Sequence, residues 1–306
     1  MKLIIKPRSP KSRKFPITLD FAPRTPDEIR VEDVKNAIAK KLPQFYPDRQ
    51  RLTVDGPTAT DKPVGLEVGK TLADYNLKDG DAVTFKDLGP QISWRTVFLV
   101  EYGGPLVIHP IFYYLQQFWY GKTFEHSQMQ TVTLWMVLLH FLKREYETVF
   151  VHRFSHGTMP LRNLFKNSAH YHILSGFNLA YFVYGPWNAT AERSDLLVYG
   201  CIALFAFAEL SNYATHVTLR NLRPPGTRIR KIPRGYGFNL VSCPNYFFET
   251  IAWIAVALLT QSWATYLFLA VATGQMYIWA VQKHKNYRKE FSDYPRGRKA
   301  MFPFIA

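Results

Sequence analysis

The chain is poor in cysteine and poor in acids, and each shortage removes a class of proteins. Its 306 residues hold two cysteines, Cys201 inside an apolar run and Cys243 just before a Pro-Asn-Tyr turn, so no disulfide framework is implied. The 23 Asp+Glu are outnumbered by 38 Lys+Arg, which leaves a net charge of +15. Such an excess points to an anionic partner: a nucleic acid, an acidic membrane face or a phosphorylated ligand. Neither GxGxxG nor GxxxxGK[ST] occurs, so no Rossmann or P-loop cradle explains a phosphate. The opening MKLIIKPRSP has a four-residue apolar core and no small-residue cleavage site. It is not expected to be a signal peptide, and the first apolar span would then act as the signal.

What is there is unevenly spread. Residues 1–90 are polar and charged, whereas residues 95–282 hold most of the aromatics and leucines in long runs. In the head, KLIIK and KFPITLDF alternate like the strands of a hairpin. RVEDVKNAIAKKL follows, with Val31, Val34, Ile38 and Leu42 at helical spacing, acids first and lysines last. RLTVD, the short TLADYNL and DAVTFKDL complete a β-β-α-β-turn-β order. That order resembles the ubiquitin-like β-grasp fold, and the residues suggest a docking or stabilising module with no catalytic set.

Six apolar segments are candidate spans: about 96–119, 129–151, 168–186, 196–219, 246–260 and 263–282. The connectors 152–166, 220–234 and 283–299 are strongly basic, while those between them are neutral or slightly acidic. Positive loops belong on the cytoplasmic side, so the alternation predicts cytosolic head and tail with an even number of spans. The fifth segment is short enough to begin as a tilted or re-entrant helix, which leaves room for a seventh element. A sequon at Asn188 falls on a non-cytoplasmic loop.

Ionisable residues at membrane depth are expensive and mark functional sites. The second span carries His140, Lys143, Arg144, Glu145 and Glu147, unless it emerges early and leaves them solvated. Glu209, Asn212, His216 and Arg220 recur at spacings of 3, 4 and 4 on the fourth span, forming one polar stripe that suits a cavity wall. Helix-to-helix hydrogen bonding is the simpler reading of such residues. Asn245, Tyr246, Glu249 and Trp253 share adjacent parts of the fifth helix, and Lys283, His284 and Tyr287 close the sixth. Beside them Arg220, Arg223, Arg228, Arg230, Lys231 and Arg234 gather in one loop. Arginine forks match phosphate oxygens. Lipid headgroups would also attract them, but would not explain the Asn, Glu and Tyr behind. A ligand with phosphates outside and a reactive end inside, such as a nicotinamide dinucleotide phosphate or an acyl-CoA, explains both.

At LRNLRPPG, RKIPRGYGFNLVSCPNYFFE, KHKNYRKEF and YPRGRKAMFPF the chain resembles the steroid 5α-reductase superfamily. The head and LKREYETVFVHRFSHGTMP point to its very-long-chain trans-2-enoyl-CoA reductase branch. The resemblance covers essentially the whole chain. It implies a ubiquitin-like domain at 1–88 and a multi-pass all-α membrane domain of six to seven transmembrane helices at 89–306. It further implies NADPH-dependent reduction of a trans-2-enoyl-CoA in the endoplasmic reticulum membrane, working in the fatty-acid elongation cycle with elongase, ketoacyl reductase and dehydratase and among membrane lipid. Nucleic acid and metal are not expected. By resemblance Asn212, Arg223, Asn245, Glu249, His284, Tyr287 and Arg298 line the cofactor pocket, and Tyr246 and Lys143 form the catalytic pair. His140, Glu147, Arg153 and His216 are placed near substrate. The steroid reductases carry an aromatic residue without the hydroxyl at the Tyr246 position, so their acid assignments do not transfer directly.

Three other readings are weaker. A di-iron desaturase needs HxxHH-type boxes, and only His152/His156 and His170/His172 approach one. A membrane S-adenosylmethionine-dependent methyltransferase would need an Arg-His-Pro signature that is missing. An adaptor acting through its head would not bind NADPH in its membrane body. Within the reductases, a steroid or polyprenol substrate is the main alternative.

Overall fold

The computed structural model describes residues 1–9, 14–56, 62–154, 157–224 and 230–305. Arg228 of the basic loop and His156 of the HxxxH pair lie outside the described residues. The chain divides into two compact units, Met1–Ser93 with Gly157–Asn163, and Trp94–His156 with Leu164–Ala306. The division falls five residues after the expected boundary, and a short later segment belongs with the first unit.

In the first unit β1 (Lys2–Pro7), β2 (Ile17–Asp20), α1 (Val31–Lys41), β3 (Gln50–Val54), β4 (Val64–Gly65) and β5 (Ala82–Asp87) form a five-stranded sheet, with α1 between β2 and β3 in the chain. The strand order is β2-β1-β5-β3-β4, with β1 and β5 parallel and the other neighbours antiparallel. The expected strands and helix are all present; β4, two residues long, carried no recognisable pattern. Val31, Val34 and Ile38 are buried against Leu3, Ile5, Leu52 and Val83, so the helical and alternating periods meet in one core. Asp33 accepts the Arg30 N–H at 3.1 Å and starts α1. A separate pair, β6 (Gln91–Ser93) and β7 (Thr158–Pro160), explains why Gly157–Asn163 belongs to this unit.

Asp87 accepts from Arg49 Nε at 2.5 Å and Nη2 at 2.8 Å, and these bonds hold its carboxyl below the usual carboxylate range. A depressed folded pKa adds stability that is present above the unfolded value, about 3.9, and is lost as pH falls through the folded value. Hydrogen-exchange protection of β3 and β5 should therefore fade below about pH 4. Asp87→Asn should flatten that part of the profile; an unchanged profile would mean the pair contributes nothing.

The second unit is helical. It contains α2 (Trp94–Tyr114), α3 (Gln116–Tyr120), α4 (Gln128–Tyr146), α5 (Arg162–Ala169), α6 (Leu179–Tyr184), α7 (Asp195–Asn221), α8 (Pro244–Thr260) and α9 (Trp263–Glu290). Wide π turns continue α4 through Glu147–Val151 and lead into α6 through His170–Asn178. The second expected span is thus one continuous helical stretch, and its charges do not emerge early into solvent: Glu147 is fully buried. Ser127 and Gln130 cap α4 reciprocally, and Ser194 caps α7. Among the described residues two helices, α7 and α9, are long and apolar enough to cross a bilayer. Phe141, Trp253 and Phe268 lie in the central core, and α7 packs along α8.

The start of α8 is held from outside. Ser242 and Cys243 donate their N–H groups to the carbonyls of Lys299 and Ala300. Before it, Gly237 has φ +72°, and a Cβ there would lie 2.6 Å from Pro244 Cβ, at the first residue of α8. Gly237→Ala should therefore cost at least about 1–2 kcal/mol from backbone strain alone, seen as a lower melting temperature. Cys201 and Cys243 are buried free thiols. The Asn188 amide nitrogen donates to Phe182 O (2.9 Å) and Val183 O (3.0 Å), so in the folded chain the sequon asparagine is engaged with the backbone.

Candidate active site

A cavity of about 520 Å³ opens in the helical unit. Arg153, Arg220, Arg223, Arg230, Lys231 and Lys283 contribute its cationic wall, and Phe98, Phe154, Trp279 and Tyr287 its aromatic one. The residues before α5 and the basic loop after α7 meet here directly. The Arg153 guanidinium donates to the Arg223 carbonyl, and Arg223 Nη1 donates to the Arg153 carbonyl at 3.3 Å. This reciprocal pair fixes both arginine-bearing segments. Arg230 is braced by Glu290 at 3.0 Å.

Of the residues expected on the cofactor, Arg223 and Tyr287 lie on this wall; Arg153 and His216, expected near substrate, also do. Trp279, Gln282 and Asn286 line it too and were missed. Their signal was the spacing of α9, on which 279, 282, 283, 286, 287 and 290 fall on one face. His284 and Arg298 are not on the wall. His284 Nδ1 meets Ser242 Oγ at 2.6 Å, and Arg298 donates to Pro233 O at 2.8 Å with its guanidinium 5.2 Å from the Tyr294 ring. His284 thus ties α9 to Ser242 just before α8, and Arg298 ties the tail to the segment before α8.

Next to the cavity lies a buried polar network. His216, on the wall, sits 3.0 Å from Glu147, which also pairs with Arg144 at 2.7 Å and Lys143 at 3.3 Å. Arg144 donates to the Tyr102 hydroxyl at 2.8 Å. Lys143 bonds Asn212 at 2.5 Å and pairs with Glu209 at 2.9 Å. Asn212 donates to the Asn245 carbonyl at 2.8 Å and to Glu249 at 3.1 Å. His140 lies between Glu209 and Glu249. The polar stripe of α7 therefore joins α4 and α8, with α7 supplying Glu209, Asn212 and His216.

Among the described residues no hydrogen bond joins Tyr246 to Lys143. Lys143 is taken up by Asn212, Glu209 and Glu147, and the Tyr246 hydroxyl has no hydrogen-bond partner among the described residues. Its ring lies 6.4 Å from that of Trp279. The ring is half-buried, and the cations near it are Lys283, one turn further along α9, and Arg144. Glu147, His152 and His216 bring ligand atoms within 4.8 Å of one another, a spacing that suits a metal ion. Glu147 already faces Arg144 and Lys143, so a cation there would meet two others, and the set fits an ion-pair network better.

The donor set suits a dinucleotide phosphate. Arginine forks meet phosphates, aromatic rings meet planar bases, and Asn245, only 6% exposed, has a side-chain Oδ1 with no hydrogen bond to accept. An unsatisfied buried acceptor beside Asn212 and Glu249 fits an amide donor such as a carboxamide. No sequence pattern shows such an atom.

Comparison with known proteins identifies relatives of the chain. Residues 157–306 match the 3-oxo-5-alpha-steroid 4-dehydrogenase family. A Schizosaccharomyces pombe protein provisionally named an enoyl reductase is 48% identical over 307 residues, covering 100% of both chains. A very-long-chain enoyl-CoA reductase of Dictyostelium discoideum is 45% identical over 288 residues, 92% of this chain and 93% of the relative. A trans-2,3-enoyl-CoA reductase-like protein of Mus musculus is 30% identical over 293 residues, 90% and 77%. With relatives matched end to end and the steroid-dehydrogenase region in its C-terminal half, this chain belongs to the enoyl-CoA reductase family of the 5α-reductase superfamily.

Proposed function

We propose that this protein reduces the 2,3-double bond of a very-long-chain trans-2-enoyl-CoA to the saturated acyl-CoA, using NADPH, in the elongation of fatty acids. The observation that carries this is the joining, through His216, of an arginine-walled cavity to a buried network containing an unsatisfied Asn245 acceptor. Bound at this site, NADPH supplies the hydride for Cβ. Arg153, Arg223, Arg230 and Lys231 hold phosphates, and Tyr287 and Trp279 offer ring faces. Asn212, Asn245 and Glu249 orient the nicotinamide end. As charge develops on the thioester oxygen, Tyr246 gives its proton to Cα as a general acid. Lys283, rather than Lys143, is the cation placed to support that phenol electrostatically. Lys143 holds Asn212 and Glu209 in register.

The apolar outer surfaces of α7 and α9 fit membrane association. Within this reading the helical unit spans the endoplasmic reticulum membrane several times with both termini cytosolic, and its acyl chain lies among lipid. The head is a ubiquitin-like module, and the elongase, ketoacyl reductase and dehydratase are the partner enzymes.

Purified protein should oxidise NADPH with a long trans-2-enoyl-CoA and not with an enone steroid. The family matched over 157–306 favours the steroid or a polyprenol as the second reading, and the reverse preference would select it.

A further inference from the structure

His140 was expected near substrate, but it is only 3% exposed and stands off the cavity wall. Its Nδ1 meets Glu209 Oε1 at 2.6 Å, and its Nε2 lies 3.3 Å from Glu249 Oε1. A carboxylate oxygen only accepts, so a neutral imidazole would turn one lone pair against another. The ring plane is held by the edges of Phe141 (centroids 4.9 Å apart, 87° between planes) and Trp253 (5.0 Å, 69°), which leaves little freedom to turn away. The other ionisable groups nearby are Lys143 and Arg144 of the same helix, with Glu147 beyond them and the His216 imidazole of α7 against Glu147. Glu147, fully buried, and the largely buried Glu209 and Glu249 thus face two permanent cations, and a third positive charge balances the cluster; His140, between two of the three carboxylates, is placed to carry it.

We infer that His140 is a doubly protonated imidazolium that clamps Glu209 and Glu249, and is thereby a positioning residue for the Glu249–Asn212 side of the dinucleotide site. The functional half of this rests on the function proposed above. With the clamp in place Glu249 keeps one oxygen on Asn212 Nδ2, and Asn212 in turn keeps its other side-chain atom on Lys143. Without it, Glu249 and Glu209 share Lys143 and are free to swing, so Asn212 and the Asn245 acceptor lose their fixed setting. A glutamine cannot replace the ring, because its donors sit on one nitrogen and cannot reach carboxylates on opposite sides.

The test uses the full-length protein carrying ¹⁵N-histidine and ¹³C-glutamate, studied by solid-state NMR in lipid. Among the described residues, His140 is the one histidine touching two glutamate side chains. Expected is a histidine with both ring nitrogens protonated and each dipolar-coupled to a glutamate carboxyl carbon at neutral pH. A ring with one unprotonated nitrogen in that doubly coupled position overturns the inference, because the proton then sits on a glutamate. On the folded fraction of His140→Gln, NADPH should bind about ten- to a hundredfold more weakly, the range for losing a charged hydrogen bond. Lower stability with unchanged affinity would reduce His140 to a structural brace and sink its positioning role. If His140→Gln does not fold, the NMR result on the unaltered protein decides. Unaltered protein that fails to bind NADPH defeats the proposed function and leaves the protonation result standing.

Discussion

Tyr246→Phe should lower turnover of a trans-2-enoyl-CoA by about 10²–10⁴-fold, the range for losing a positioned general acid, with NADPH affinity unchanged. The substitution removes one oxygen from a ring packed near Trp279, so the fold has little reason to respond. The Tyr246 hydroxyl spends nothing on structure, because no described residue bonds it. Stopped-flow oxidation of NADPH with a saturating enoyl-CoA separates chemistry from binding. Near-normal turnover would mean that water or another group protonates Cα. The same measurement on Lys283→Met should show a smaller loss, since the phenol remains and only its supporting charge is gone.

Glu147→Leu should destabilise the helical unit by roughly 3–5 kcal/mol, the cost of breaking one partner out of a buried ion-pair set. Glu147 is fully buried and faces Arg144, Lys143 and His216, all themselves largely buried. Removing it strands the Arg144 charge with no carboxylate among the described residues paired to it, leaving the Tyr102 hydroxyl and ring and the His216 imidazole beside it. Denaturant unfolding in detergent, read by the tryptophans of this unit, gives the number. A loss below about 1 kcal/mol, the value of a solvated surface pair, would show that water reaches these cations. A wild-type-like stability would also remove the reason for treating His216 as the link between cavity and network.

How far the residues themselves led is clearest at α7. The spacing of Glu209, Asn212, His216 and Arg220 alone indicated a polar stripe, and the structure places that stripe between α4 and α8. The partners were not legible. Lys143 and Asn212 are 69 positions apart, and which of several polar groups a lysine chooses depends on helix rotation and side-chain reach. Resemblance placed Lys143 with Tyr246, whereas the packing gives Lys143 to Asn212 and Glu209 and leaves Lys283 and Arg144 as the cations near the phenol. His284 and Arg298 carried the right residue types for a phosphate site, yet His284 bonds Ser242 and Arg298 bonds the Pro233 carbonyl. A sequence motif preserves position along the chain, and says nothing of which side of a helix a neighbouring strand of chain has covered.

The sequence by itself determined the two-part organisation, the helical and alternating periods of the head, the excess of cations after α7, and the kind of ligand those cations suit. Each depends on spacing and composition, which local backbone geometry and solvation read directly. Only the tertiary structure decided that Arg153 and Arg223 lock each other's backbone, that three carboxylates share two permanent cations, and that His140 is hemmed in between two acids. Those are properties of side chains brought together from helices far apart in the chain. Their energies depend on ångström separations and on exclusion of water, which no one-dimensional pattern carries.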